Sequence, residues 1–150
     1  MEARMKHPAI VLTEAMPALM NLSKAVEQAG LPKVTVDLVA LRASQINGCS
    51  VCVGMHATDL REQGQSDERL FSVAAWRETE YFTDAERAAL ALTEATTRLA
   101  DTGDAVSDDI WNEAADHYTE TELAGLVMAI AMINLWNRLN AATRQLAGGW

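Results

Sequence analysis

Two cysteines and a histidine lie close together in the sequence and are the residues best suited to chemistry. Cys49 and Cys52 are the only cysteines of the 150-residue chain, and His56 follows shortly after them. A chain of this length buries roughly 68–70% of its unfolded surface, so it needs neither a disulfide nor a metal to fold. A single close-spaced cysteine pair is a poor disulfide framework but is typical of a redox or metal site in a reducing compartment. We therefore expect function at this pair.

A helix that begins near Cys49 would hold both thiols in its first turn. Unpaired backbone N–H groups and the helix macrodipole favour a negative charge there, and therefore a thiolate. This effect fades within the first turn and favours Cys49 as the more acidic thiol, whereas His56, one helical turn after Cys52, places a base beside Cys52. Asp37 in the preceding helix is a candidate for the same place, because its face of that helix continues toward the turn at Asn47-Gly48.

The rest of the sequence predicts helices only. Alanine is abundant, the three prolines lie within the first 32 residues, and no alternating strand pattern persists. We predict an all-α fold of roughly six to eight helices in one domain over residues 1–150. Apolar spacing, glycine stops and capping residues give the expected helices: Val11–Ala29, Lys33–Ile46, the cysteines to Gly64, Thr83–Leu99, Ser107–His117 and Thr119–Leu139.

Two apolar stretches have expected positions in this fold. Leu12 and Val26 begin and end the stripe expected to face inward on the first helix. The segment from Leu123 to Ile133 is apolar on all sides, which predicts burial in the domain or in a subunit interface.

Charge and hydropathy exclude several classes of function. The chain carries 12 Lys and Arg against 21 Asp and Glu, a net charge of −9, without a basic stripe. Nucleic acid is therefore not an expected partner, because binding it depends on cationic groups. The longest apolar stretch is about half of the ~20 residues that a membrane span requires, and no secretory signal is evident. We expect a soluble, cytoplasmic protein that does not bind membranes.

The residues around the cysteines resemble a known family. The run from Asp37 to His56, DLVALRASQINGCSVCVGMH, is similar to the core motif of the AhpD-like alkylhydroperoxidases, within the carboxymuconolactone decarboxylase family. The segments from Trp76 to Ala88 and from Ile133 to Asn140 are also similar to parts of that family. A bare C-x-x-C is weak evidence, but Ser-Gln-Ile-Asn-Gly before it and a histidine four residues after it make the resemblance specific.

The resemblance implies an activity and a role for each site residue. Cys52 would attack the peroxide, Cys49 would resolve the product as a disulfide, and an external dithiol would reduce that disulfide. His56 would help to deprotonate Cys52, in a relay with Asp37 at a position usually held by Glu. Because Asp is one methylene shorter, we expect it to reach His56 through water or to support the relay less well. Val51 stands where the best-known members have a histidine.

The same resemblance implies a thiol-dependent peroxidase without an organic cofactor or metal, assembled as a homo-oligomer, often a trimer or hexamer. Two other classes stay open: a lactone decarboxylase, and a non-enzymatic module that binds zinc or senses redox state. The zinc site would use Cys49, Cys52 and His56, with Asp37 or water as the fourth ligand. His7 and His117 are lone histidines to which we assign no role, and Arg138 is either a partner of a carboxylate in an interface or a solvated residue.

Overall fold

In a computed structural model that describes residues 2–148, the chain folds into eight α-helices and one 3-10 helix, with no strand among these residues. This arrangement confirms the predicted all-α class. The α-helices are α1 (Pro8–Val11), α2 (Ala15–Glu27), α3 (Lys33–Asn47), α4 (Ser50–Glu62), α5 (Asp67–Ser72), α6 (Asp84–Thr97), α7 (Asp108–His117) and α8 (Glu120–Thr143). The 3-10 helix spans Val73–Glu78.

Helix starts that rest on capping chemistry agree with the sequence prediction. Thr83 and Thr119 each accept a hydrogen bond from the backbone three residues later, and the glutamate there bonds back to complete a capping box. Ser107 caps α7 with its own side chain, which accepts a hydrogen bond from the backbone of the first turn. Helix α8 continues four residues beyond the predicted end at Leu139.

The predicted first helix is wrong at its N-terminal end. The chain forms the short α1, turns, and begins α2 only at Ala15. Pro17 explains the difference: it lacks an N–H group and is tolerated in the first turn of a helix but not in its interior. Leu12 consequently lies outside the helix and is 64% exposed, whereas Val26 is buried as expected.

Helix α3 is the centre of the fold and packs against α4, α6 and α8. It contributes to three apolar clusters: Val39 packs toward α6 and α8, Leu38 and Leu41 toward α4 and the 3-10 helix, and Ala40 and Ala43 toward the cysteines. Burial on several sides explains why polar residues of α3, such as Asp37, are also inside. A polar side chain there needs partners, because an unpaired buried polar group is costly.

Helix α8 is buried on one face only. Leu126 and Ile130 are fully buried, but Met128 and Leu135 are 44% and 38% exposed. The prediction that the Leu123–Ile133 segment is buried is therefore confirmed within this chain for one face of the helix only. Gly125 permits the close approach of the segment that follows α2, because a Cβ atom at Gly125 would lie 2.3 Å from the Cβ of Ala29.

No helix in the described part of the chain has both the length and the apolar character that a membrane crossing would require.

Candidate active site

The turn between α3 and α4 sets the position of the two cysteines. Gly48 ends α3 in the left-handed conformation, with a φ of 66° that favours glycine. Cys49 is the N-cap of α4 and Cys52 lies in its first turn, as the sequence predicted. Both thiols are free and buried, with the sulfurs 3.0 Å apart. A disulfide requires a separation of about 2.05 Å, so a small movement would join them.

The environment of the thiols makes them unequal. The thiol of Cys52 and the backbone N–H of Cys52 both hydrogen-bond to the sulfur of Cys49, and against the opposing effect of burial they lower the pKa of Cys49 to about 6. The pKa of Cys52 is raised, because its hydrogen bond to Cys49 favours the protonated form and burial acts in the same direction. The hydrogen bonds and the dipole argument both favour Cys49 as the more acidic of the two thiols.

The two thiols also differ in their access to a cavity, and here Cys52 rather than Cys49 is favoured. A cavity of about 1000 Å³ lies among α2, α3, α4 and α8, and Cys52 and His56 are both among its lining residues. Cys49 is not among them. Most of the remaining lining is apolar, with methionines from three helices: Met16, Met20, Met55 and Met132.

Asp37 and His56 are in direct contact. His56 Nδ1 lies 3.1 Å from Asp37 Oδ1, so the expectation of a water-bridged contact is wrong. The other carboxylate oxygen accepts hydrogen bonds from Lys33 and Gln63, each at 2.6 Å. Burial raises the pKa of Asp37, but the hydrogen bonds from these three partners outweigh it, and the pKa lies below its ordinary value. An ionised Asp37 fixes the ring proton on Nδ1 and leaves Nε2 as the basic nitrogen.

Three buried asparagines on α8 complete the site. Asn134, Asn137 and Asn140 recur at intervals of three residues and share one face of the helix. Asn47 Nδ2 donates to the side-chain oxygens of Asn134 and Asn137, at 2.9 Å each. Asn140 Nδ2 lies 3.3 Å from the sulfur of Cys52 and 3.6 Å from that of Cys49.

Sequence reasoning gave these asparagines no role of their own. The feature that could have identified them is a polar residue at every third position of an otherwise apolar helix, which indicates a buried hydrogen-bonding face. Arg138, in contrast, is exposed and donates to the backbone and side-chain oxygens of Asn134 at 3.0 Å.

The described residues contain one group of three side chains whose ligand atoms lie within 4.8 Å of one another: Asp37, His56 and Asp59. The ammonium of Lys33 already lies against Asp37, which disfavours a second cation there. The two thiols do not belong to this group, so the structure does not assemble the zinc ligands that the sequence left open.

The site and fold together define an all-helical protein in which a dithiol and a carboxylate–histidine pair share one cavity, through Cys52 and His56. Comparison with known proteins agrees: residues 13–95 match the carboxymuconolactone decarboxylase family, and the chain belongs to this family. The AhpD-like resemblance is thereby confirmed.

Individual relatives extend the comparison. The chain is 33% identical over 132 residues to the uncharacterized protein YdfG of Bacillus subtilis, covering 88% of each chain. It is 36% identical over 58 residues to the alkyl hydroperoxide reductase AhpD of Solibacter usitatus, covering 39% of this chain and 32% of that one. The structure of ATU0492 from Agrobacterium tumefaciens, a protein of unknown function that is linked by name to AhpD and antioxidant defence, superimposes with a TM-score of 0.90. The two share 34% identity, over 99% of this chain and 100% of that one.

Proposed function

We propose that this protein is a thiol-dependent peroxidase of the AhpD type, which reduces organic hydroperoxides through a dithiol–disulfide cycle of Cys49 and Cys52. The observation that carries the proposal is the pair of free sulfurs 3.0 Å apart, one of which lines a cavity of about 1000 Å³ together with His56. That volume suits a drug-sized organic molecule and greatly exceeds what hydrogen peroxide needs.

Cys52 is the attacking thiol in this proposal, because it lines the cavity. Its proton passes to a base, either the Cys49 thiolate or His56. The Cys52 sulfur then attacks the terminal peroxide oxygen, the O–O bond breaks, and the alcohol leaves after taking up a proton. Cys52 is now a sulfenic acid, with its sulfur oxidised by two electrons.

Cys49 completes the cycle. Its sulfur attacks the sulfenic sulfur of Cys52, the S–O bond breaks, and water leaves as the disulfide forms. An external dithiol, the reductant that we propose as partner, then supplies two electrons and two protons. Because the cycle depends on reduced thiols, we expect it to operate in the cytoplasm.

Asp37 and His56 act as a proton relay in this proposal. Asp37 holds the imidazole by Nδ1 and stabilises its protonated form, so that Nε2 can take a proton from the thiol pair and return it to the leaving alkoxide.

The experiment is peroxide consumption with a dithiol reductant, such as dithiothreitol, and cumene hydroperoxide as substrate. We expect Cys49→Ser and Cys52→Ser to lose turnover, and Ser50→Ala, an exposed position between them, to keep it. Dimedone should trap a sulfenic acid in Cys49→Ser but not in Cys52→Ser. Undiminished turnover in both cysteine variants would refute the proposal.

We also propose that the chain forms a homo-oligomer, a trimer or hexamer. The exposed apolar side chains of Met128 and Leu135 on α8 support this proposal. Analytical ultracentrifugation of the reduced protein measures the assembly, and a monomer at micromolar concentration would contradict it.

A further inference from the structure

The attack by Cys52 requires a negative charge on the less acidic of the two thiols. Cys49 is the more acidic thiol, but it is not among the residues that line the cavity. A hydrogen-bond donor aimed at the Cys52 sulfur would favour the charge there, because such a donor stabilises a thiolate more than a thiol. A side chain of α8 has the position that this role requires.

Asn140 contacts both sulfurs and lies closer to that of Cys52. Its Nδ2 is 3.3 Å from the sulfur of Cys52 and 3.6 Å from that of Cys49. The three residues are only 2% to 4% exposed, so water has little access to a charge on either sulfur. A hydrogen bond to a charged group is stronger in such surroundings than in water. Asn140 is therefore well placed to replace the missing hydration of a thiolate.

The end of α8 holds Asn140 in place. The backbone carbonyl of Asn140 accepts the N–H of Gln145 at 2.9 Å, which closes the last turns of the helix. The carbonyl of Thr143 accepts the N–H of Arg4, also at 2.9 Å, and fastens the same end to the N-terminal segment. A donor on a fixed helix keeps its direction better than one on a loop. Asn140 also lines the cavity, so it lies beside the space that would receive the substrate.

We propose that Asn140 is a catalytic residue: its amide NH₂ group donates a hydrogen bond to the sulfur of Cys52 and stabilises the negative charge there while that sulfur attacks. The inference rests on the proposed function for the identity of the attacking thiol, and it extends the site to the C-terminal end of α8. The contact with Cys49 and burial raise the pKa of Cys52, whereas the hydrogen bond from Asn140 acts in the opposite direction. A stabilised thiolate is a weaker nucleophile, but the gain in the thiolate fraction outweighs this loss when the thiol pKa lies above the ambient pH.

The other groups that could affect the thiols stay the same in every variant of the test. Besides Cys52, the titratable groups among the described residues that line the cavity are His7, His56 and Asp59. Asp37 on α3 contacts His56, and the lining residues of α2 and α8 carry no charge. Asn137, the preceding polar residue on the same face of α8, is also retained. A change in thiol titration on replacing Asn140 is therefore measured against a constant background.

The experiment titrates Cys52 alone, in a Cys49→Ser protein without peroxide, by thiolate absorbance and by the pH dependence of alkylation with iodoacetamide. Asn140→Leu keeps the branched shape of the side chain and removes the donor. We expect it to raise the midpoint of thiolate formation by about 1–2 pH units, the size of a hydrogen bond to a charged group. Thr93→Val is the matched control, because it also replaces a buried polar side chain by an apolar one of the same shape. Thr93 bonds within α6, to the carbonyl of Ala89, and its loss should leave the midpoint unchanged.

A second titration, of Cys49 alone in a Cys52→Ser protein, tests the preference for Cys52. Asn140→Leu should raise this midpoint by less, because the amide lies farther from the sulfur of Cys49. A folded Asn140→Leu protein with an unchanged Cys52 midpoint would overturn the proposal. An equal or larger shift for Cys49, or an equal shift in the Thr93→Val control, would overturn it as well.

A further variant and the absence of peroxide keep the outcome clear. If Asn140→Leu does not fold, Asn140→Ala also removes the donor and is read in the same way. Because both titrations are carried out without peroxide, their result is independent of whether the protein is a peroxidase. The consumption of cumene hydroperoxide by the unmodified dithiol decides that question separately.

Discussion

Asp37 and Glu94 are both buried carboxylates on central helices, yet they serve different purposes. They are 5% and 7% exposed, and in each case hydrogen bonds from neighbours lower the pKa against the effect of burial. Arg42, Trp76 and Arg77 all donate to Glu94, so its two oxygens join α3, the 3-10 helix and α6. One carboxylate oxygen of Asp37 instead contacts His56, which lines the cavity.

The difference lies in the partners rather than in the burial. Arginine is always charged, so the contacts of Glu94 do not change over the physiological pH range. An imidazole can both accept and donate a proton, so the contact of Asp37 can take part in proton transfer. Burial and a lowered pKa by themselves therefore do not identify a functional carboxylate.

The largest effect on stability is expected for Glu94→Gln. This change leaves Arg42, whose side chain is 12% exposed, without its charged partner. Breaking a buried ion pair in this way costs about 3 kcal/mol of unfolding free energy. Urea unfolding measures the loss, and Glu80→Gln at an exposed position is the control. Equal stability of the two variants would show that Glu94 does not hold the helices together.

Asp37→Asn should affect reactivity rather than stability. Lys33 is 69% exposed and can be hydrated when the carboxylate is lost. The protonated form of His56 loses its anionic partner, so we expect the second-order rate constant for peroxide to fall about tenfold. Stopped-flow kinetics at neutral pH measures this constant.

Asp59→Asn is the matched control for that variant. Asp59 lies near the same nitrogen of His56, but at 3.9 Å and with a side chain 37% exposed. We expect a change of less than about twofold, because an exposed pair at this distance is weak. An equal loss of rate in both variants would mean that Asp37 contributes no more to the reaction than Asp59 does.

A smaller effect is expected in the acid stability of the protein. The pKa of Glu94 is lower in the folded protein than its ordinary value of 4.5, so its ionised form stabilises the fold above that pH. This stabilisation is lost as the pH falls through the lowered pKa. The difference in unfolding free energy between wild type and Glu94→Gln should therefore shrink below pH 4.5. A difference that stays constant down to pH 3 would contradict the assignment.

The sequence predicted the local features of the fold and site well. Capping boxes at Thr83 and Thr119 marked helix starts, and Gly48 placed the cysteines at a helix N-terminus, because these depend on neighbouring residues alone. Asn140 and Glu94 were not assigned roles, because their partners lie on other helices and depend on how those helices cross. The pairing of Asp37 with His56 was predicted, but its direct hydrogen-bond distance was not, since sequence does not fix the distance between α3 and α4.

The reaction of the reduced protein with one equivalent of cumene hydroperoxide tests the central claim most directly. The account predicts that both thiols disappear and that the intact mass falls by two hydrogen atoms, as Cys49 and Cys52 form an intramolecular disulfide. Mass spectrometry after alkylation of the remaining thiols measures both quantities. Two free thiols together with unconsumed peroxide, or added oxygen on methionine alone, would contradict a dithiol peroxidase.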